Sequence, residues 1–448
     1  MKNDITSSET LTQQEHSLIT RDVALQILHT VLDKNQPLDQ VFDNSNGFIN
    51  LADGRDRAFV KMLVTTTIRR LGQIDDLIRR ALLREGQEIS PPKLMHLLRL
   101  GVCQLVFMDV PNYAAVDTMV SLAAKQGLSR QKSFVNAVLR KVSREGKTWT
   151  TKQDIPRLNT PEWMLKVWSE DYGIRNAVDI AQAMTNEAAL DLTVRNQDDI
   201  QVWAKRLGAQ VLPTNSLRLN AGGLISQIDG FEEGAWWVQD AAAAIPAQLF
   251  KDLEGQNAAD LCAAPGGKTA QIAMQGAHVT ALDRSARRLV RFNENMKRLN
   301  VSENVNTEAA DAGVWQPSDA LDAVLLDAPC TASGTLRKRP DVAWLKTPKD
   351  LDAMAEAQRR ILDNAARMLK SGGVLVYCTC SLFKAEGEAQ IDAFLANHPD
   401  YSRQPITADE VGGVTEIIDE NGDLRILPFH FKKYGGIDGF YAARLVKA

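Results

Sequence analysis

The run Leu325-Leu326-Asp327-Ala328-Pro329-Cys330 is apolar, strand-like and stops at a cysteine, and Tyr377-Cys378-Thr379-Cys380-Ser381 does the same farther on. Open α/β sheets present reactive side chains at the carboxyl ends of their strands, so two such runs point to one sheet and one site. A third run, Ala258-Ala259-Asp260-Leu261-Cys262, passes into Ala263-Ala264-Pro265-Gly266-Gly267-Lys268-Thr269. That is a glycine-rich turn of the kind that lets a nucleotide-like ligand approach the backbone and a helix N-terminus. These three stretches mark an enzyme.

From Gly234 onward the pattern is a series of βα repeats. Strands are expected at 257–262, 278–283, 305–310, 322–327 and 373–379, with others near 424–428 and 439–446, a helix on each crossover and a helix from Ala241 to Leu249. Residues 234–448 are therefore expected to form a doubly wound, Rossmann-like sheet. Residues 1–147 read as an all-α bundle, in which Val23, Leu25, Ile27, Leu28, Val31 and Leu32 crowd one segment and Pro91-Pro92 opens another helix. Its last helix, from Gln131 to about Arg144, places Phe134, Val135, Val138, Leu139 and Val142 on one face and Arg130, Lys132, Arg140, Lys141 and Arg144 on the rest. That is either a core stripe with a solvated basic face or a phosphate-binding surface. Residues 148–233 read as a small α/β module, reached through a polar linker from Gly146 to Pro156. The fold class is multi-domain: an all-α amino-terminal bundle, a small α/β linker module and a carboxyl-terminal α/β domain.

A chain of 448 residues, 44% hydrophobic and 24% charged, has the length and composition for two or three globular cores. A formal net charge of −4 confines any nucleic-acid contact to local patches. The start, Met1-Lys2-Asn3-Asp4-Ile5-Thr6, has no apolar leader, and no run has transmembrane length. Five cysteines without framework spacing suit a reducing compartment. The expectation is a cytoplasmic protein that does not contact a membrane and has no obligate protein partner.

The turn at Pro265-Gly266-Gly267-Lys268-Thr269 is no P-loop, because the glycine that motif needs six residues before the lysine is Cys262 here. Asp283 ends the next strand, where a carboxylate can accept both ribose hydroxyls, and Asp311 follows the third, where it can bind an adenine amino group. Each aspartate alone also fits a helix cap. Asp283, Asp311 and Asp327 in succession favour a site suited to adenosine without phosphates. Cys330 and Cys380, taken alone, fit small buried hydrophobes. Cys378-x-Cys380 lacks nearby histidines or a second close pair, so no metal is expected.

Together these stretches resemble the cytosine-5 RNA methyltransferases. The resemblance implies S-adenosylmethionine as methyl donor, with Cys262, Ala263, Ala264, Pro265, Gly266, Gly267, Lys268, Asp283, Asp311 and Asp327 lining its pocket. It also implies covalent catalysis, since C5 of cytosine becomes nucleophilic only after a thiolate adds to C6. DNA-type enzymes attack with the cysteine of Pro329-Cys330, whereas RNA-type enzymes have that cysteine and attack with a second one in Thr379-Cys380-Ser381. By resemblance Cys380 is the nucleophile, Cys330 aids product release, Asp327 serves N3 of the base, and Cys378 packs. The likeness continues through Gly334-Thr335-Leu336-Arg337-Lys338-Arg339-Pro340-Asp341 and Asp438-Gly439-Phe440-Tyr441.

Arg337, Lys338 and Arg339 fit either a solvated loop or a phosphate contact beside Cys330. Val110-Pro111-Asn112-Tyr113-Ala114-Ala115-Val116 and Phe134 to Lys141 resemble the NusB-type helical RNA-binding domain, which implies RNA docking with Arg140 and Lys141 among the contacts. A NusB-like domain fused to such a catalytic domain is the arrangement of the bacterial RsmB-type (Fmu/Sun) family, which implies a cytosine of 16S ribosomal RNA as target. The other readings are a transfer-RNA cytosine-5 methyltransferase and a non-catalytic RNA-binding assembly factor; the latter is expected to lose Cys380, Asp327 or Pro265-Gly266-Gly267.

Overall fold

The computed structural model describes residues 13–82, 84, 86–219 and 224–448, so the expectation about the start of the chain falls outside the described residues. Two compact units emerge: one holds the chain up to Leu165 together with Arg339–Leu345, the other Lys166–Lys338 and Lys346–Ala448.

The first unit is helical. Ile74, Leu77, Ile78 and Ala81 of helix Leu71–Ala81 are buried, as are Val135, Val138, Leu139 and Val142 of helix Lys132–Thr150, so both helices turn an i, i+3, i+4, i+7 stripe inward. The expected linker is not one. Helix Lys132–Thr150 runs through Gly146, and a second helix covers Ile155–Asn159. Gly146 is buried because a Cβ there would stand 3.0 Å from both Val106 Cγ2 and Val142 Cγ1, so this glycine permits close packing and does not break the helix. The segment Arg339–Leu345, remote in sequence, belongs to this unit. Leu38 N–H donates to Asp341 Oδ2 (2.9 Å), and Trp344 Nε1 donates to the Ile68 carbonyl (3.0 Å).

The second unit holds two sheets. The smaller is antiparallel, ordered β2-β3-β1-β4, from β1 (Leu190–Val194), β2 (Gln210–Val211), β3 (Leu217–Leu219) and β4 (Trp236–Val238). Asp191 of β1 and Arg218 of β3 face each other in register and pair through two 2.7 Å hydrogen bonds, both fully buried. Arg218 also donates to the Tyr434 and Gly436 carbonyls, so the buried cation has several acceptors.

The larger sheet comprises β5 (Asn257–Leu261), β6 (His278–Asp283), β7 (Val305–Ala309), β8 (Leu321–Asp327), β9 (Leu369–Thr379), β10 (Tyr401–Arg403), β11 (Leu424–Ile426) and β12 (Phe440–Lys447). Its order is β10-β12-β9-β8-β5-β6-β7, with β11 paired to β12. Strands β5 to β9 are mutually parallel, whereas β12 runs antiparallel to β9. The sheet is thus mixed. Because β6 lies on one side of β5 and β8 on the other, strand order reverses at β5, and the crevice past its carboxyl end is the ligand position of such sheets.

Two expectations about connections fail. No helix lies on the β7-to-β8 crossover, where Gly313 and Pro317 interrupt a short turn-rich segment. Residues 241–249 form turns and one 3₁₀ stretch, Pro246–Leu249, because Pro246 supplies no amide hydrogen to continue a helix.

Candidate active site

Parallel pairing brings the carboxyl ends of β5 to β9 to one edge of the sheet, and the expected site residues lie along it. Cys262 ends β5 with a φ of 69°, a left-handed turn that swings the chain into Ala263 and the helix Gly267–Met274. The glycines of this turn serve packing. A Cβ on Gly266 (φ 104°) would stand 2.7 Å from Met296 and 2.9 Å from Phe292, and one on Gly267 would press on Trp237 and Gln239. The packing of the protein requires these glycines independently of any ligand.

Asp283 is buried at the end of β6. Its Oδ1 accepts from Ser285 N–H (2.9 Å), and its Oδ2 accepts from Ala264 N–H (3.3 Å) and pairs with Arg288 Nη1 (2.8 Å). Asp311 follows β7, accepting from Gly313 N–H (2.8 Å) and from Arg360; that backbone bond leads the causes that hold its carboxyl below the usual range. Asn295 Nδ2 donates to the Pro265 carbonyl (3.0 Å), fixing the outer side of the turn. Asp260, on β5, is buried, and burial pushes its carboxyl up to about 7 although Thr269 Oγ1 donates to it. Burial likewise pushes the Cys262 thiol up to about 12, with Asp327, Asp260 and Asp283 adding to the shift.

At the end of β8, Asp327 accepts from Lys268 Nζ at 2.7 Å, and the Cys378 thiol lies 3.7 Å from its other oxygen. Cys378 is fully buried, and burial holds its thiol well above the usual range. Three residues on, Cys330 Sγ lies 3.5 Å from Cys380 Sγ at the end of neighbouring β9. The hydrogen bond with Cys380, then burial, then the charge of Cys380 raise the Cys330 thiol well above its ordinary value.

The cysteine loops are stitched together. Gly334 N–H donates to the Cys380 carbonyl (2.9 Å) and Leu382 N–H to Ser333 Oγ (2.9 Å). A Cβ on Gly334 would meet the Gly439 carbonyl at 2.1 Å, so two motif glycines far apart in sequence are required by each other.

The basic run is divided, with Arg337 buried and Lys338 and Arg339 exposed. Arg337 is 2% exposed and donates to the Gly435 carbonyl (2.7 Å), and Lys338 pairs with Asp240 and with Asp438 (3.1 Å). Arg339 belongs to the helical unit, 3.8 Å from Asp39. Arg337 is therefore internal, whereas Lys338 and Arg339 are exposed and paired; the aspartates that hold these charges were invisible in local sequence. Arg140 and Lys141 lie on helix Lys132–Thr150. Arg140 is exposed and lines a groove of about 540 Å³ with Tyr113, Asn136 and Arg144, whereas Lys141 sits 5.9 Å over the Trp149 ring. In the same unit His29, Asp33 and His96 have metal-ligand spacing. Arg99 Nη1, a donor only, lies 3.1 Å from His96 Nδ1, which leaves that ring's proton on Nε2 facing Asp33 (2.9 Å) and so fills the atom a metal would need.

Along the carboxylate-rich edge, Lys268, Arg288 and Arg360 are paired with Asp327, Asp283 and Asp311, and Arg284 lies near Asp311. That donor set fits a ligand with hydroxyls and an amino group.

Residues 247–446 match the family of 16S rRNA methyltransferases RsmB/F, and residues 18–144 match the NusB family. The chain is 34% identical to the probable ribosomal RNA small subunit methyltransferase B of Synechocystis, over 88% of this chain and 92% of that one. It is 32% identical to the ribosomal RNA small subunit methyltransferase B of Vibrio vulnificus, over 95% and 99%. Among solved structures, PH0851 superposes with a TM-score of 0.74 at 22% identity, covering 98% of this chain and all (100%) of that one. A methyltransferase homolog protein from Pyrococcus horikoshii superposes at 0.53 with 27% identity, covering 63% of this chain and 94% of that one.

Proposed function

Because this chain belongs to the RsmB/F family of 16S ribosomal RNA methyltransferases, we propose that it moves a methyl group from S-adenosylmethionine to C5 of a cytosine in 16S ribosomal RNA through a covalent Cys380 adduct. The observation that carries this reading is the pair of sulfurs, Cys330 and Cys380, 3.5 Å apart at the ends of adjacent parallel strands.

Bound S-adenosylmethionine supplies an electrophilic methyl group, and Asp283 and Asp311 would hold its ribose hydroxyls and adenine amino group. Cys380, as thiolate, adds to C6 of the target cytosine, while Asp327 serves N3 through the Lys268 ammonium it holds, which donates to N3 and stabilises the charge gathering there. The C5 carbon, now enamine-like, takes the methyl group. Solvent at the sheet edge takes the C5 proton, the C–H electron pair re-forms the C5=C6 double bond and expels Cys380, and the Cys330 thiol gives the departing sulfur its proton. The base has to leave its stack to reach a thiol at a sheet edge.

We assign RNA docking to residues 1–147, with Arg140 and Lys141 at the contact, chemistry to 234–448, and part of the RNA face to 148–233. Such a substrate puts the reaction in the cytoplasm, which agrees with five cysteines outside any disulfide. No helix among the described residues is long and apolar enough to cross a membrane.

Wild-type protein, Cys380→Ala and Cys330→Ala are incubated with small-subunit ribosomal RNA and methyl-labelled S-adenosylmethionine. The expected results are 5-methylcytosine, neither product nor adduct, and a denaturation-resistant protein–RNA adduct, respectively. An adduct in Cys380→Ala that Cys330→Ala lacks would reverse the two roles. If wild type leaves this RNA unmodified, the substrate assignment fails and transfer RNA is next to be tried.

A further inference from the structure

Between the two cysteine loops lies a carboxylate that the chemistry above does not use. Glu386 is completely buried, 0% exposed, just past β9. Its Oε1 accepts from Thr331 N–H (2.9 Å) and Gln358 Nε2 (3.0 Å), and its Oε2 accepts from Thr331 Oγ1 and Ser381 Oγ. The backbone carbonyl of Glu386 accepts from Tyr377 O–H (2.9 Å) and Thr379 Oγ1 (3.3 Å). Gln358, itself buried, gives its amide also to the Pro329 carbonyl (2.8 Å).

These bonds select particular neighbours. Pro329 and Thr331 flank Cys330, Thr379 and Ser381 flank Cys380, and all four are tied to Glu386 directly or through Gln358. We propose that Glu386 is the positioning residue of the reactive pair, one buried anchor that clamps the chain on both sides of each cysteine and sets how the two sulfurs meet.

An acceptor-only group is what this donor set requires. Thr331 N–H and the Gln358 amide, oriented by Pro329, can only donate, and an ionised carboxylate meets them and both hydroxyls at once. Burying a carboxylate costs several kcal/mol unless every lone pair is used, so the group earns its place only where the geometry it enforces matters. Glu386 touches neither sulfur; it acts through the residues beside them. Its charge also helps hold Cys330 as the thiol, after the larger effects of Cys380 and burial.

The inference deepens the covalent reading and rests on it, so the test separates the two. Methyl transfer is measured for Glu386→Ala, Glu386→Gln and the double variant Thr331→Val/Ser381→Ala, with kcat normalised to folded protein by thermal unfolding. Adduct formation is followed on a small-subunit rRNA fragment carrying 5-fluorocytosine, which has no C5 proton to lose, with Cys380→Ala as control. Misplacing reacting groups by about 1 Å costs on the order of 100-fold, so Glu386→Ala is expected to lower kcat and adduct rate about that much while both KM values stay within about threefold. Glu386→Gln is expected to regain about tenfold, its amide nitrogen donating to hydroxyls that can turn to accept. The double variant removes the two hydroxyl bonds to Oε2 from the other side, leaves those of Thr331 N–H and Gln358 to Oε1, and is expected to lower kcat at least about tenfold. If Glu386→Ala does not fold, the double variant decides alone.

Folded variants that keep kcat within about threefold of wild type, or that change only KM, overturn the positioning role. A wild-type protein that forms no Cys380-dependent adduct sinks the covalent reading, and the inference with it.

Discussion

Lys268 Nζ stands 2.7 Å from Asp327 Oδ2, joining the turn after β5 to the end of β8 with a lysine side chain only 10% exposed. Burial alone would draw the ammonium towards neutrality, but Asp327, with Cys378 and Asp260 adding to it, more than offsets that and raises it above its ordinary value. The pair is therefore a fixed zwitterion beside the reactive cysteines.

Lys268→Met leaves Asp327 half-buried without its counter-charge, and unfolding free energy should fall by about 1–3 kcal/mol, the usual cost of orphaning one partner. Adding Asp327→Asn should restore most of that loss in thermal unfolding while methyl transfer stays absent. Recovery of activity in the double variant would show that neither charge serves the reaction.

The thiol pair makes a prediction about pH. Cys380 is the leading cause of the raised Cys330 thiol, so its removal should lower the pH at which Cys330 becomes reactive. Iodoacetamide labelling followed by peptide mass analysis should show the Cys330 midpoint in Cys380→Ala below that in wild type. An unchanged midpoint would mean that burial alone sets it.

What the sequence exposed of this fold follows from how local its causes are. The β5, β6 and β8 runs are apolar because both faces of each strand are covered, and each stops at the polar residue that the edge needs, so strands and site residues were legible together. Gly146 misled because a glycine that packs against Val142 has the same letter as one that ends a helix. Arg337 and Lys338 misled for a related reason: Asp438, which burial pushes up to about 7, and Asp240 reach them only through the tertiary fold. Glu386 gave no local signal at all, since its meaning lies in the strand-end neighbours it joins.

Acid should weaken one edge of the sheet through Glu410. Burial opposes its ionisation, but Arg444 at 2.6 Å and the Thr407 bonds outweigh that and bring it from 4.5 down to about 2. A depressed carboxyl contributes stability that is present in full above its unfolded value and lost as pH falls through the folded one. Glu410→Gln should thus cost on the order of 1 kcal/mol at pH 7, allowing for solvent screening, and the difference should fade between about pH 4.5 and 2 in urea unfolding. A gap that persists at pH 2 would assign the effect to packing.

Salt dependence distinguishes cations free to meet phosphate from one held between aspartates. Each phosphate contact to single-stranded nucleic acid contributes about 0.7 to the slope of log affinity against log salt, so Arg140→Ala and Lys141→Ala should each flatten it by about that amount. Lys338→Met should leave the slope alone, because its ammonium is held by Asp240 and Asp438, and should instead lower stability by about 1–3 kcal/mol, the cost of leaving two buried carboxylates without their partner. The binding measurement uses small-subunit ribosomal RNA at graded potassium chloride, with thermal unfolding of the same preparations alongside. A flattened slope with unchanged stability in Lys338→Met would make position 338 an RNA contact after all; the reverse pattern assigns its charge to holding the fold beside Asp438, the residue before the glycine that Gly334 needs.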